Sequence, residues 1–69
     1  MNSDQDGNIL QIGDWIIDAN YRRLARITDI DAEGDPIVNI YKENYGIWCA
    51  DRTKKITEAE AMLFILENS

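Results

Sequence analysis

Histidine is absent from this chain of 69 residues, and cysteine occurs only once, as Cys49. Without an imidazole the chain cannot build a catalytic triad or a histidine-based zinc site, and without a second cysteine no disulfide closes within it. No apolar run is long enough to span a bilayer, and the polar residues 1–8 contain no apolar core of the kind that a signal peptide needs. We therefore expect a cytoplasmic protein that is not an enzyme and needs neither a metal nor a cofactor.

Basic residues are also scarce, with seven Lys and Arg against 13 Asp and Glu, which gives a net charge of −6 at pH 7. Such a charge repels phosphate backbones and anionic lipids at long range. The length and the 45% content of hydrophobic side chains suit one small globular domain. We expect this domain to cover residues 9–69 and to follow a disordered polar leader at residues 1–8, which lack apolar periodicity.

Short apolar and alternating segments predict a mainly β fold. The first strand ends near Asp18, and it is apolar on both faces because Trp15 and Ile17 lie opposite Ile16. Further strands are predicted at residues 23–30, 37–41, 47–51 and, as a short fifth, 54–56, with turns at 31–36 and 42–46. Cys49 falls in the fourth of these strands, where we expect it to be buried in the core.

The C-terminal segment predicts a helix over residues 57–67. Thr57 followed by Glu60 satisfies the capping-box pattern, in which each side chain bonds to the backbone N–H of the other residue. An apolar stripe at helical spacing is expected to pack on the sheet over Trp15, or over an open end of the sheet if the sheet closes on itself. Its members are Ala59, Met62, Leu63 and Leu66. Phe64 lies off this stripe, and we expect its ring to reach the surface.

Residues 12–56 carry three short motifs of a known fold. They are Gly-Asp-Trp-Ile at 13–16, Leu-Ala-Arg-Ile-Thr-Asp-Ile at 24–30, and Tyr45-Gly46 between two strands. In these motifs the chain resembles an SH3-like small β-barrel of the Tudor/KOW type. The resemblance implies a small SH3-like antiparallel barrel of four to five strands with one C-terminal α-helix, and short strands at close spacing suit such a curved sheet.

Two acidic segments have part of the spacing of an EF-hand calcium loop. They start at Asn2 and at Asp29, and their twelfth positions are Gly13 and Ile40. A bidentate glutamate is needed at that position to complete the coordination of calcium. We therefore expect solvated acidic turns at these two places.

The aromatic residues support the leading hypothesis about function, a non-catalytic protein-interaction module or small regulator. Exposed aromatics often carry most of the binding energy at an interface. The expected partner-binding residues are Trp15, Tyr41, Tyr45, Trp48 and Phe64. The expected partner is a protein, with a homodimer as one form of that interaction, and the brevity of the chain is typical of bacterial or phage-encoded regulators.

Two alternative functions remain open from the sequence. The first is a nucleic-acid-binding small barrel that uses a basic patch of Arg22, Arg23, Arg26, Lys54 and Lys55. The second is an inhibitor whose acidic surface imitates nucleic acid and occupies the basic groove of its target. Against the first alternative, the arginines are expected to pair with Asp29, Asp51 and the acidic turns, and generic DNA is not expected to bind at physiological salt.

Overall fold

The structure is a computed structural model that describes residues 3–69. Its elements are β1 (Trp15–Asp18), β2 (Leu24–Ile30), β3 (Pro36–Ile40), β4 (Tyr45–Ile47), a 3₁₀ turn (Ala50–Arg52), β5 (Thr53–Ile56) and α1 (Glu58–Glu67). All five strands belong to one antiparallel sheet in the order β4-β3-β2-β1-β5, so β4 and β5 form its two edges. The predicted mainly β fold with a single C-terminal helix is confirmed.

The turn between β2 and β3 is built by one carboxylate. Asp31 Oδ1 accepts hydrogen bonds from the backbone N–H groups of Glu33 and Asp35, both at 2.9 Å. Gly34 supplies the positive φ of 89° that this tight reversal requires. Pro36 then opens β3, a position at which a missing N–H does not interrupt the ladder.

The main core lies on one face of the sheet and is formed by alternate residues of the central strands. Its members are Leu10, Ile16, Ala25, Ile27, Val38, Ile40 and Ala50. The alternation predicted for β2 is confirmed, because Ala25 and Ile27 are buried whereas Arg26 and Thr28 are exposed. Leu10 comes from the segment before β1 and Ala50 from the 3₁₀ turn, so irregular segments close the core at its ends.

A second buried layer lies on the opposite face of the sheet. Ile17 of β1 and Leu24 of β2 are direct register partners, and both are buried. The helix α1 packs against β1 on this side of the sheet. The first strand is therefore buried on both faces, as its apolar sequence predicted.

The fourth strand differs from its predicted bounds of 47–51. Tyr45 and Gly46 pair with β3, and the strand ends at Ile47. The chain then turns because Asp35 Oδ1 accepts a hydrogen bond from the Ala50 N–H at 3.2 Å. Cys49 lies between strand and turn and is exposed, so the prediction of a core cysteine is wrong.

Residues 3–8, predicted as part of a disordered leader, are attached to the domain by hydrogen bonds, although residues 5–8 are exposed. Asp4 is only 4% exposed, and its carboxylate accepts hydrogen bonds from the backbone N–H groups of Asp6, Asn8 and Lys55 at 2.8–3.0 Å. The N–H of Gln5 also donates to the carbonyl of Thr53 at 2.8 Å. This segment is held by polar contacts, which leave no apolar pattern in the sequence. Residues 1–2 lie outside the described part of the chain.

The Asp4 carboxyl group has a perturbed acidity. Burial raises the pKa of Asp4, but the hydrogen bonds from Lys55 and Asn8 lower it by more. The pKa of Asp4 therefore lies below its ordinary value, and folding stabilises the charged carboxylate.

Candidate functional site

The start of α1 is fixed by the capping box that the sequence predicted. Thr57 Oγ1 accepts a hydrogen bond from the Glu60 N–H at 3.1 Å, and Glu60 Oε1 accepts one from the Thr57 N–H at 3.0 Å. The predicted helix is thereby confirmed, with Thr57 as its N-cap. The hydrogen bond from the Thr57 N–H, followed by the interaction with the Thr57 side chain, holds the pKa of Glu60 below its ordinary value, so this side chain is ionised and oriented.

One face of α1 packs on the sheet. Ala61 is completely buried, and Phe64 and Ile65 are half-buried. The Phe64 ring meets the Tyr41 ring edge to face, with centroids 6.5 Å apart and an angle of 83° between the planes. Lys42 Nζ donates to the Asn68 carbonyl at 2.6 Å, which attaches the end of the helix to the segment after β3.

The opposite face of α1 is exposed, and it contains the stripe that was predicted to be core. Met62, Leu63 and Leu66 are 40%, 56% and 73% exposed, and Ala59 is exposed beside them. The predicted orientation of the helix is therefore wrong. Residues 61–66 form a continuous apolar run, so periodicity does not select a face. Ala61, the smallest residue of this run, is the one that is fully buried. We call Ala59, Met62, Leu63 and Leu66 the outer helix face.

Acidic side chains border the outer helix face on both sides. With 3.6 residues per turn, Glu58 projects beside Met62, whereas Glu60 and Glu67 project beside Leu63. The ten residues of α1 include no lysine or arginine. The outer helix face is thus an apolar strip with carboxylates along each border.

A groove of about 230 Å³ runs along one side of this strip, between α1 and the strands β1 and β5. It is lined by Ile17, Tyr21, Lys54, Ile56, Glu60, Leu63, Phe64 and Glu67. Lys54 Nζ lies 5.9 Å from the centroid of the Tyr21 ring, within the range of a cation–π contact. We call this feature the α1 groove; it shares Leu63 with the outer helix face.

The predicted aromatic residues do not form one patch. Tyr41 and Phe64 pack against each other, and Trp15 lines a shallow groove with Tyr41. Trp48 is half-buried against the main core, at the other face of the sheet. Tyr45 is 71% exposed on the edge strand β4. Tyr41, Phe64 and Trp48 therefore pack against other apolar groups of the domain.

Two of the five predicted basic residues form ion pairs with acids. Lys55 Nζ lies 3.2 Å from Asp14 Oδ2. Arg23 Nε lies 3.6 Å from Glu43 Oε2, with both side chains about half exposed. Of the three arginines that were expected to pair with acids, only Arg23 forms an ion pair within residues 3–69, and its partner is neither Asp29 nor Asp51.

The remaining basic residues point to separate places. Arg26 Nε donates to the Gly13 carbonyl at 3.1 Å, and its guanidinium lies 5.1 Å from the Trp15 ring. Lys54 faces the α1 groove, and Arg22 is exposed in the β1–β2 loop. Because Lys54 and Lys55 are consecutive in β5, they project to opposite faces of the sheet. The predicted patch is divided among several surfaces.

A third groove, of about 370 Å³, lies between the β1–β2 loop and the 3₁₀ turn. Its lining includes Arg23, Arg52 and Trp48, and also the exposed Cys49. Asp18 adds a carboxylate, whose Oδ1 accepts hydrogen bonds from the N–H groups of Arg22 and Arg23. Charges of both signs therefore meet in this groove.

The acidic turn after β2 brings three carboxylates together. One oxygen from each of Asp31, Glu33 and Asp35 lies within 4.8 Å of the others. Two of them are backbone acceptors: Asp31 holds the turn, and Asp35 binds the Ala50 N–H. Their position is explained by the structure of the turn.

Comparison with known proteins adds no relative to this description. No family model matches the chain, and searches of curated proteins and of solved structures give no match. Within residues 3–69, no helix combines the length and the apolar character that crossing a membrane requires. What the protein does is therefore inferred from its own surface.

Proposed function

We propose that the protein is a non-catalytic protein-interaction module or small regulator that binds its partner through the outer helix face. The observation that carries this proposal is the exposure of Met62, Leu63 and Leu66 while the other side of α1 is docked on the sheet. Contiguous exposed apolar residues with a polar border are typical of interaction sites. Their helical spacing suits the mode in which a helix lies against an apolar surface of its partner.

This proposal moves the main contact from the aromatic rings to the helix. Tyr41 and Phe64 pair with each other and attach α1 to the sheet, and Trp48 supports the core. Their truncation would therefore change stability as well as binding. Nucleic-acid binding receives less support, because the basic residues are divided and partly neutralised.

We also propose that the sheet has the curvature of an SH3-like barrel of the Tudor/KOW type. The support is that β5 returns to pair with β1 after the 3₁₀ turn that follows β4. The register of β2 against β3 also shifts between Ile27 and Asp29, and such a bulge bends and twists a strand. A barrel of this kind would carry α1 on its outer surface.

The outer helix face is tested with the double variant Leu63→Ser/Leu66→Ser. Its matched control is Ile47→Ser, which removes an apolar side chain of similar exposure, 63%, from β4. Immobilised wild-type protein and the control should retain the same protein from a source lysate, and the double variant should lose it. Thermal melts should show a change of no more than about 0.5 kcal/mol for each exposed substitution, and a loss of about 2 kcal/mol for Phe64→Ala.

Two results would contradict this proposal. If the double variant unfolds as readily as Phe64→Ala, then Leu63 and Leu66 belong to the core. If the double variant is stable and retains the same proteins as the wild type, then the outer helix face is not the binding surface.

A further inference from the structure

We infer that the partner presents an apolar helical face bordered by lysine or arginine, and that one of its basic side chains enters the α1 groove. This inference rests on the proposed function and names the chemistry of the partner.

The border that α1 gives to the outer helix face carries charge of one sign only. Glu58 lies on one side of the outer helix face and Glu60 and Glu67 on the other, and α1 contains no base. Partners whose charges complement such a border associate faster, and partners of like charge are rejected. An apolar surface with basic flanks therefore fits this site better than a neutral or acidic one.

The α1 groove combines apolar walls with charged side chains. Ile17, Ile56 and Phe64 give it apolar walls. Two carboxylates, those of Glu60 and Glu67, line it against a single cation, Lys54, whose Nζ lies over the Tyr21 ring. Lysine and arginine bury their methylene chains on apolar surface and keep the charged group at a polar edge. Glu60 is held in place by the capping box, so an ionised acceptor is already oriented beside the groove.

A second copy of this chain is a poor fit as the occupant. Two outer helix faces would bring acidic borders together, on molecules that each carry a net charge of −6. Ten helical residues also extend only about 15 Å. A stable interface usually buries about 800 Å² on each partner, which is far more than one face of such a helix offers. A partner with basic flanks avoids this repulsion, and any partner needs contacts beyond α1 to reach such an area.

The experiment uses three synthetic helical peptides of about 15 residues that share one leucine face. Their flanking positions are all lysine, all glutamine or all glutamate, and binding to the full chain is followed by fluorescence anisotropy. The lysine-flanked peptide should bind at least about tenfold more tightly than the glutamine peptide, and the glutamate peptide should bind most weakly. Glu67→Lys should weaken the lysine-flanked peptide about fivefold.

Glu33→Lys is the matched control, because it makes the same change of charge in the exposed β2–β3 turn. Glu67→Lys is a mild substitution for folding, since a cation suits the last turn of a helix. The control should leave binding of the lysine-flanked peptide within about twofold of wild type. If both variants weaken binding equally, the attraction is due to net charge, and the inference is wrong.

The remaining outcomes separate the inference from the proposed function. If all three peptides bind equally and Leu63→Ser/Leu66→Ser abolishes binding, the outer helix face is a binding surface but its border does not select a basic partner. If the peptides bind and the double variant has no effect, the proposed function itself is overturned. A dimer in sedimentation that the double variant dissociates would assign the surface to a second copy and overturn the inference.

Discussion

Replacing Asp4 by alanine should destabilise the domain more than any other single change to alanine in residues 3–8. The Asp4 carboxylate accepts hydrogen bonds from the N–H groups of Asp6, Asn8 and Lys55, and water has little access to it. Without the carboxylate, the Lys55 N–H loses its acceptor in a part-buried site. Residues 3–8 also lose their main attachment to β5.

The expected magnitude follows from these contacts. A hydrogen bond to a charged group contributes about 1.5–3 kcal/mol, and part of that is recovered when the turn rehydrates. We therefore expect Asp4→Ala to lower the free energy of unfolding by about 2–4 kcal/mol. A domain of this size has roughly 3–10 kcal/mol in total, so the Tm should fall by roughly 10–25 °C.

Urea denaturation followed by tryptophan fluorescence measures this loss. The matched control is Asp6→Ala, which changes the net charge equally but removes an exposed side chain. The control should stay within about 0.5 kcal/mol of wild type. If Asp4→Ala is as stable as Asp6→Ala, the Asp4 carboxylate does not hold the segment.

The pH dependence gives a second readout. Because the pKa of Asp4 is lower in the folded state, its contribution is fully present above the unfolded pKa of about 3.9 and is lost as the pH falls through the folded value. The stability gap between wild type and Asp4→Asn should therefore be largest near neutral pH and shrink below about pH 4. A gap that stays constant down to about pH 3 would refute the reasoning.

Two further outcomes are expected. Thr57→Ala should cost about 1 kcal/mol in thermal melts because the capping box is lost, whereas Thr57→Ser should keep most of that stability; equal melting of the two variants would contradict the role of the hydroxyl. Cys49 should react with a thiol reagent in the folded protein at nearly the rate seen in urea, since it is exposed, and strong protection from the reagent would show that it is buried after all.

The features that could be predicted from the sequence are those that depend on residues close together in the chain. The alternation of β2 and the capping box at Thr57 are local patterns, and the structure confirms both. The orientation of α1 was not predictable in this way, because a continuous apolar run fits either face and packing on Ile17 decides between them. The exposed position of Cys49 depends on the contact of Asp35 with Ala50, which are fifteen residues apart.

Only the general type of the candidate site, a surface that binds another protein, could be predicted from the sequence. Composition excluded a histidine-based catalytic centre, and the aromatic residues indicated a surface that binds another protein. Which surface that is follows from the orientation of α1, so the expected aromatic set did not include Met62, Leu63 or Leu66. The acidic border could have been read from the three glutamates of the helix once its docked face was known.

The contact of residues 3–8 with β5 also affects how this sheet behaves toward other polypeptides. An edge strand with free backbone groups is a template for strand addition, domain swapping and aggregation. On β5, the Lys55 N–H and the Thr53 carbonyl are taken by Asp4 and Gln5. The opposite edge is β4, which is only three residues long. Residues 3–8, which have no strand pattern of their own, thus cover the longer of the two edge strands. Their release would expose these backbone groups of β5 to pairing with strands of other chains.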